Sequence, residues 1–240
     1  MLLSSTESSA KTKKKGLVMD VNTGVFDRSG RDEMTDNAFF GLLGMVLIWG
    51  LGFTALAAHL SIQAEYKPGW GGVILCGLVL PIIGIFIAIK SDNAFLSFIG
   101  YNLIVIPYGI ILGPYVQMYK PDAVRNALLL TMSITGFMSF LGLCFPSLFR
   151  HLGPVLFMAL CGLLVIRIVQ MFVPAMQAWG VIDYCAAGLF SLYIGYDMHR
   201  ASGIAKTADN AVDVGVDLYL DVINLFLNLL RIFGSASSDD

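Results

Sequence analysis

The chain has 240 residues, of which 57% are hydrophobic and only 13% charged, and its mean hydropathy is +0.76. A soluble domain carries about 25% charged residues, so this composition excludes an ordinary water-soluble fold and points to an integral membrane protein. The net charge of −2 and the lack of a basic stripe beyond the N-terminal tail give no footprint for a nucleic-acid partner.

Residues 1–36 are polar and carry Lys11, Lys13, Lys14 and Lys15. No apolar h-region follows these lysines, so the segment reads as a flexible cytoplasmic tail and not as a cleaved signal. Spanning a bilayer as a helix takes about 20 apolar residues. Six stretches meet that requirement: 38–60, 72–90, 94–118, 123–147, 152–173 and 178–198. A seventh, 211–233, qualifies only if its polar residues are sheltered. The expected organisation is an all-α membrane bundle of seven helices over 37–234, with a short polar tail at 235–240. Lipid offers backbone groups no hydrogen bonds, so the spans must be helical.

Lysines and arginines set the orientation. With the N-terminus inside, the tail lysines, Arg28, Arg31, Lys90, Arg150, Arg200 and Lys206 fall on the cytoplasmic side. Lys67, Lys120, Arg125 and Arg231 fall on the other. Seven spans put the C-terminus outside, whereas a re-entrant last segment returns it inside. The absence of organelle-targeting features points to a bacterial plasma membrane.

The third stretch contains Pro107 and the run GIILGP, with Gly109, Gly113 and Pro114. Glycines four apart permit close helix packing, and the prolines could also form a hinge beside a pore. Arg167 lies inside the fifth stretch and has two readings. It snorkels to the outer interface, or it pairs with Asp183 near the outer end of the sixth stretch, as a gate or a clamp. Cys76, Cys144, Cys161 and Cys185 sit in apolar runs without CxxC spacing and read as small buried hydrophobes. His59, His151 and His199 lack metal-ligand spacing. No HExxH, P-loop or GxSxG motif is present, and no catalytic role is expected.

The last stretch, DVGVDLYLDVINLFLNLL, interrupts its apolar run with Asp213, Asp217, Asp221, Asn224 and Asn228. At 100° per residue, with Asp213 at zero, Asn224 falls at about 20°, Asp217 at 40°, Asn228 at 60° and Asp221 at 80°. Arg231 returns to about 0°. A charged side chain at the bilayer centre costs about 2.5–3.5 kcal/mol or more. The stripe must therefore face protein or water, which makes this helix central or pore-lining. An interfacial helix is the alternative, but such helices are usually basic on the polar face. The asparagines suit hydrogen bonds to neighbouring helices.

Asp221, deep in the span, needs a partner. Asp197 closes the preceding helix in SLYIGYDMHR. Two carboxylates in a low-dielectric site cannot both ionise easily and titrate as a unit. Such a dyad senses protons and, when charged, forms a partial cation site. Calcium takes 6–8 oxygens, so Asp197 and Asp221 alone bind it weakly. Asp213, Asp217, Asn224 and Asn228 would line the rest of a path, along which weak binding favours conduction.

The segments SLYIGYDMHR and LYLDVINLFLNLLRIFG are similar to the signature of the Bax-inhibitor family of membrane proteins. Within it, the chain resembles bacterial pH-sensitive calcium-leak members of the YetJ type, down to a C-terminal SSDD. The resemblance covers about residues 38–240 and is strongest in the last two helices. It implies seven helices with the last in the centre, and it maps the family's paired aspartates onto Asp197 and Asp221. The leak members hold this pair with an arginine at the inner end of the second helix. The corresponding run IFIAIKSDNAF puts Lys90 there, a point charge without arginine's planar fork.

Two functions follow as expectations. One is a pH-sensitive leak for calcium or other cations, with no cofactor and with protons and calcium competing for the dyad in the lipid bilayer. The other is an interaction protein without transport. Another bacterial branch of the family, similar in the ILGP run, modulates a membrane-bound protease. An intramembrane aspartyl protease is disfavoured because the GxGD context is missing.

Overall fold

A computed structural model of the chain describes residues 33–91, 93–173 and 180–236. The expected N-terminal tail lies outside this range up to residue 32, as do residues 237–240 of the expected C-terminal tail. Regular structure among the described residues is helical throughout: α1 Asp36–Gln63, α2 Trp70–Ile74, a π-turn Leu75–Val79, α3 Leu80–Lys90, α4 Ala94–Val116, α5 Pro121–Cys144, α6 Pro146–Phe149, α7 Gly153–Phe172, α8 Val181–Gly203 and α9 Ala208–Ala236.

Local chemistry explains most of these ends. Thr35 caps α1 by accepting from the Ala38 amide at 3.4 Å, and Asn93 caps α4 by accepting from Phe95 at 2.9 Å. Proline opens α5, α6 and α7 within the first turn, where its missing N–H costs nothing. Between α2 and α3 the helix widens. Pro81 has no N–H to give to Gly77, and the Leu80 amide bonds instead to the Leu75 carbonyl, five residues back.

Five helical segments are long and apolar enough to cross a membrane: Asp36–Gln63, Trp70–Ala88, Ala94–Val116, Pro121–Cys144 and Gly153–Gln170. α8 and α9 have 23 and 29 residues, about 35 and 43 Å at 1.5 Å per residue, against a hydrocarbon core of about 30 Å. Their length suffices, and their acidic residues hold down their hydropathy. α9 runs unbroken past the expected boundary at 234 to Ala236.

The last helix is the axis of the bundle. It packs against α1, α4, α5 and α8, while α7 leans on α8 and the α2–α3 pair leans on α4. Leu218, Leu225 and Leu230 are fully buried within one apolar cluster. Tyr101 and Tyr219 close a second, edge to face at 5.4 Å. The perimeter is apolar by contrast, with Ile48, Phe95, Phe157 and Phe172 all exposed, as a lipid-facing surface requires. The cysteines correct an expectation. Cys144, Cys161 and Cys185 are exposed on this perimeter and Cys76 is half-buried, so their apolar surroundings are not the protein interior.

Gly109 and Gly113 provide close packing rather than a break. A Cβ at Gly109 would meet the Thr54 carbonyl at 2.6 Å, and one at Gly113 the Ala58 carbonyl at 2.5 Å. α4 thus rides directly on the α1 backbone and stays continuous through Pro107 and Pro114.

Candidate functional site

The polar stripe of α9 points inward. Asp213, Asp221 and Asn228 are buried, and Asp217, Asn224 and Arg231 are half-buried. α8 lies alongside and presents Asp197, which is 4% exposed against 7% for Asp221. The two carboxyl groups lie close enough to interact directly. A bond between carboxyls exists only while one of them holds a proton. Asp221 Oδ2 is buried with no hydrogen-bond partner among the described residues. The phenol of Tyr193, one turn before Asp197, faces the same pair.

The counter-charge is Arg200. It lies one turn after Asp197 on α8, 3.7 Å from that carboxylate, and donates to Asp217 Oδ2 across on α9. Two carboxylates, one from each helix, thus meet one guanidinium. The Asp217 and Arg200 side chains keep 29% and 21% of their surface exposed, so this ion pair stands between solvent and the sealed dyad. Lys90 does not occupy this place. Its side chain is exposed at the end of α3, and no hydrogen bond or ion pair joins it to the dyad. The reason is geometric: α3 packs on α4, one layer away from the α8–α9 seam.

Toward the N-terminus of α9 the polar residues continue. Ser97 of α4 donates to Asp209 at 2.9 Å, and both are buried. Lys206, in the α8–α9 turn, donates to the carbonyls of Ala201, Ser202 and Ile204 at 2.7–3.0 Å. It also lies 5.1 Å from the Phe39 ring. Burial pushes its ammonium below the ordinary lysine value, and Asp36 pulls it back up. The Lys206 carbonyl accepts from the Met34 amide at 2.8 Å, tying the entry to α1 onto this turn.

Toward the C-terminus of α9 a second ionic cluster closes the stripe. Arg167 of α7 donates to Asp183 at 2.6 Å, to Asn228 at 2.7 Å and to Gln170 at 3.1 Å. Arg231 donates to the same Asp183 oxygen at 2.7 Å and to Asn228 at 2.6 Å. Of the two readings of Arg167, the structure shows the pair with Asp183. The asparagines differ from each other. Asn224 donates back to the Leu220 carbonyl of its own helix at 2.8 Å. Asn228 reaches α7 only by accepting from Arg167. About 16 Å of helix axis separates Asp217 from Asn228.

Among the described residues no three His, Cys, Asp or Glu side chains gather as a metal centre. A calcium ion at the dyad would meet two carboxyls, with Asp217 held by Arg200. This donor set fits brief occupancy and not a resident ion. From the sequence, Arg200 and Lys206 counted only toward orientation and Ser97 not at all, so none of the three was placed at the site. For Arg200 a signal existed, since its i, i+3 spacing from Asp197 places the two side by side on one helix face.

The family model described as inhibitor of apoptosis-promoting Bax1 matches residues 41–238. A protein of Helicobacter pylori strain 26695 is 28% identical over 199 residues, covering 82% of this chain and 84% of its own. A BI1-like protein of Arabidopsis thaliana is 31% identical over 201 residues, covering 80% of this chain and 77% of its own. A membrane protein of Streptococcus pyogenes serotype M1 is 26% identical over 215 residues, covering 82% and 93%. With a family match that takes in the dyad, both ionic clusters and all of the helical bundle but the first turn of α1, the chain belongs to the Bax-inhibitor family of multi-pass membrane proteins.

Proposed function

We propose that this protein is a pH-sensitive leak for cations, calcium foremost, gated by the Asp197–Asp221 pair. The observation that carries the reading is the pairing of two solvent-sealed carboxyls on adjacent helices. Such a pair is held together when one carboxyl keeps a proton and donates it to the other. Losing the proton leaves two negative charges in contact at low dielectric, where repulsion is strong. The α8–α9 seam then either parts or takes a cation between the carboxylates. Arg200 joins this event to the inner mouth, because it touches both Asp197 and Asp217. Asn224 continues the stripe, and the Arg167–Asp183–Arg231 cluster closes its far end.

In this reading all seven long helices cross a bacterial plasma membrane with the N-terminus inside. Arg200, Lys206 and the dyad's entrance then face the cytoplasm, and the Asp183 cluster faces out. The test is calcium entry into indicator-loaded proteoliposomes, from mildly acidic to mildly alkaline pH, for wild type and Asp221→Asn. The expected result is a pH-dependent flux in wild type that becomes constant with pH, or is abolished, in the variant. An asparagine cannot take up or release the shared proton. Flux no greater than in empty liposomes, from protein shown to be folded and inserted, would overturn the leak. It would leave an interaction protein, with a membrane-bound protease as its partner class.

A further inference from the structure

The far end of the bundle holds a crevice of about 520 Å³ between the α1–α2 loop, α4 and α9. Lys67 and Arg231 stand at its rim, and Tyr108, Ile111, Leu112 and Leu227 form much of its wall. None of its lining residues is acidic. The mechanism above makes no use of this space. We propose that it binds one anionic phospholipid, with the head group on Lys67 and Arg231 and an acyl chain against the apolar wall.

Three observations converge on that occupant. The first is depth. Asp221 lies at the middle of the 29-residue α9, and Arg231 is ten residues further on, about 15 Å along the axis. Half of a hydrocarbon core of about 30 Å brings Arg231 to head-group level. The aromatic side chains nearby mark the same level: Trp70 is 82% exposed and Tyr66 is exposed beside Lys67, as residues of an interfacial belt are.

The second is charge. Arg167 and Arg231 both lean on the single carboxylate of Asp183, and Lys67 adds a further cation at the rim. Among the described residues of this end, Lys67, Lys120, Arg125, Arg167 and Arg231 outnumber Glu65, Asp122 and Asp183, and a phosphate at head-group depth would offset that excess.

The third is shape. From Arg231 the wall descends along α9 to Ile223, about 12 Å toward the bilayer centre. From Met118, just past the end of α4, it descends along that helix to Tyr108. A soluble anion has no use for that apolar wall, whereas an acyl chain fills it.

The experiment is native mass spectrometry of the full chain in detergent, titrated with phosphatidylglycerol or with phosphatidylcholine of identical acyl chains. Wild type is expected to retain one phosphatidylglycerol at concentrations where phosphatidylcholine is lost. Lys67→Gln, at an exposed side chain, should weaken that retention about fivefold, the contribution of one basic contact at a membrane surface. Ile111→Trp, which fills the groove and keeps the charges, should weaken it at least as much. Equal retention of the two lipids would overturn the proposal. So would phosphatidylglycerol binding unchanged in both variants. Displacement of the lipid by an equal concentration of glycerol phosphate, which has no chains, would also overturn it and make the site one for soluble phosphate esters.

Discussion

Asp197 and Asp217 compete for one guanidinium. Arg200 donates to Asp217 and lies 3.7 Å from Asp197, so its charge is divided between the dyad and the mouth. Removing it should make ionisation near the dyad harder, because a cation within a few ångströms favours the charged carboxylate by one pH unit or more. Arg200→Gln is therefore expected to move the pH profile of flux about one unit toward alkaline. Asp217→Asn releases Arg200 to Asp197 alone and should move it toward acid. If both variants shift the profile the same way, Arg200 holds the helices together and does not tune the pair. The pairing of Asp197 with Asp221 was legible in the sequence, because a carboxylate deep in an apolar span needs an ionisable neighbour and the adjacent span ends in one. The counter-charge was not. Lys90 and Arg200 carry the same sign near the same bilayer surface, and only the packing of α8 on α9 decides which of them meets the dyad.

The helices themselves were legible wherever an apolar run was long, since lipid leaves such a run no alternative to a helix. What tertiary contact decides was less so. Gly109 and Gly113 suggested either close packing or a hinge, and the carbonyls of Thr54 and Ala58 settle it as packing. Gly113→Val should accordingly destabilise the bundle by about 1–3 kcal/mol, the usual cost of overpacking, read as loss of thermal stability in detergent. An unchanged melting temperature would mean that α4 can move off α1. The end of α1 makes the opposite prediction. Glu65 adopts φ 49°. The Tyr66 amide bonds to the Ser61 carbonyl and the Glu65 amide to that of Ile62, both at 3.0 Å. This is a Schellman ending with a side chain where glycine is preferred. Glu65→Gly is expected to raise stability by about 1 kcal/mol, and a loss would show that the glutamate side chain contributes more than its backbone strain costs. The close approach had its signature in the paired glycines, whereas the left-handed ending had none, because no glycine or asparagine marks residue 65.

Across the whole molecule, the sorting of residues is inverted relative to a soluble protein. Large apolar side chains cover the outside, and the carboxylates of α9 line the inside. That inversion bears on the topology of the last helix. A helix lying in the interface exposes its polar face to water, whereas α9 is enclosed by α1, α4, α5 and α8 and buries its acidic stripe. A helix of 29 residues so enclosed, about 43 Å long, has no way to turn back within the membrane without a break, and it has none. The ends of the chain should therefore lie on opposite sides. In the proposed orientation Arg200 and Lys206 put the α8–α9 turn on the cytoplasmic side, as the positive-inside rule expects. Arg231, at the other end of α9, would then face outward. A fluorescent protein that matures only in the cytoplasm should glow when fused to the N-terminus and stay dark at the C-terminus, and alkaline phosphatase should report the reverse. Fluorescence from both fusions would mean that α9 does not cross. The dyad would then stand at the end of a re-entrant path, and a leak through the axis of the bundle could not pass along α9.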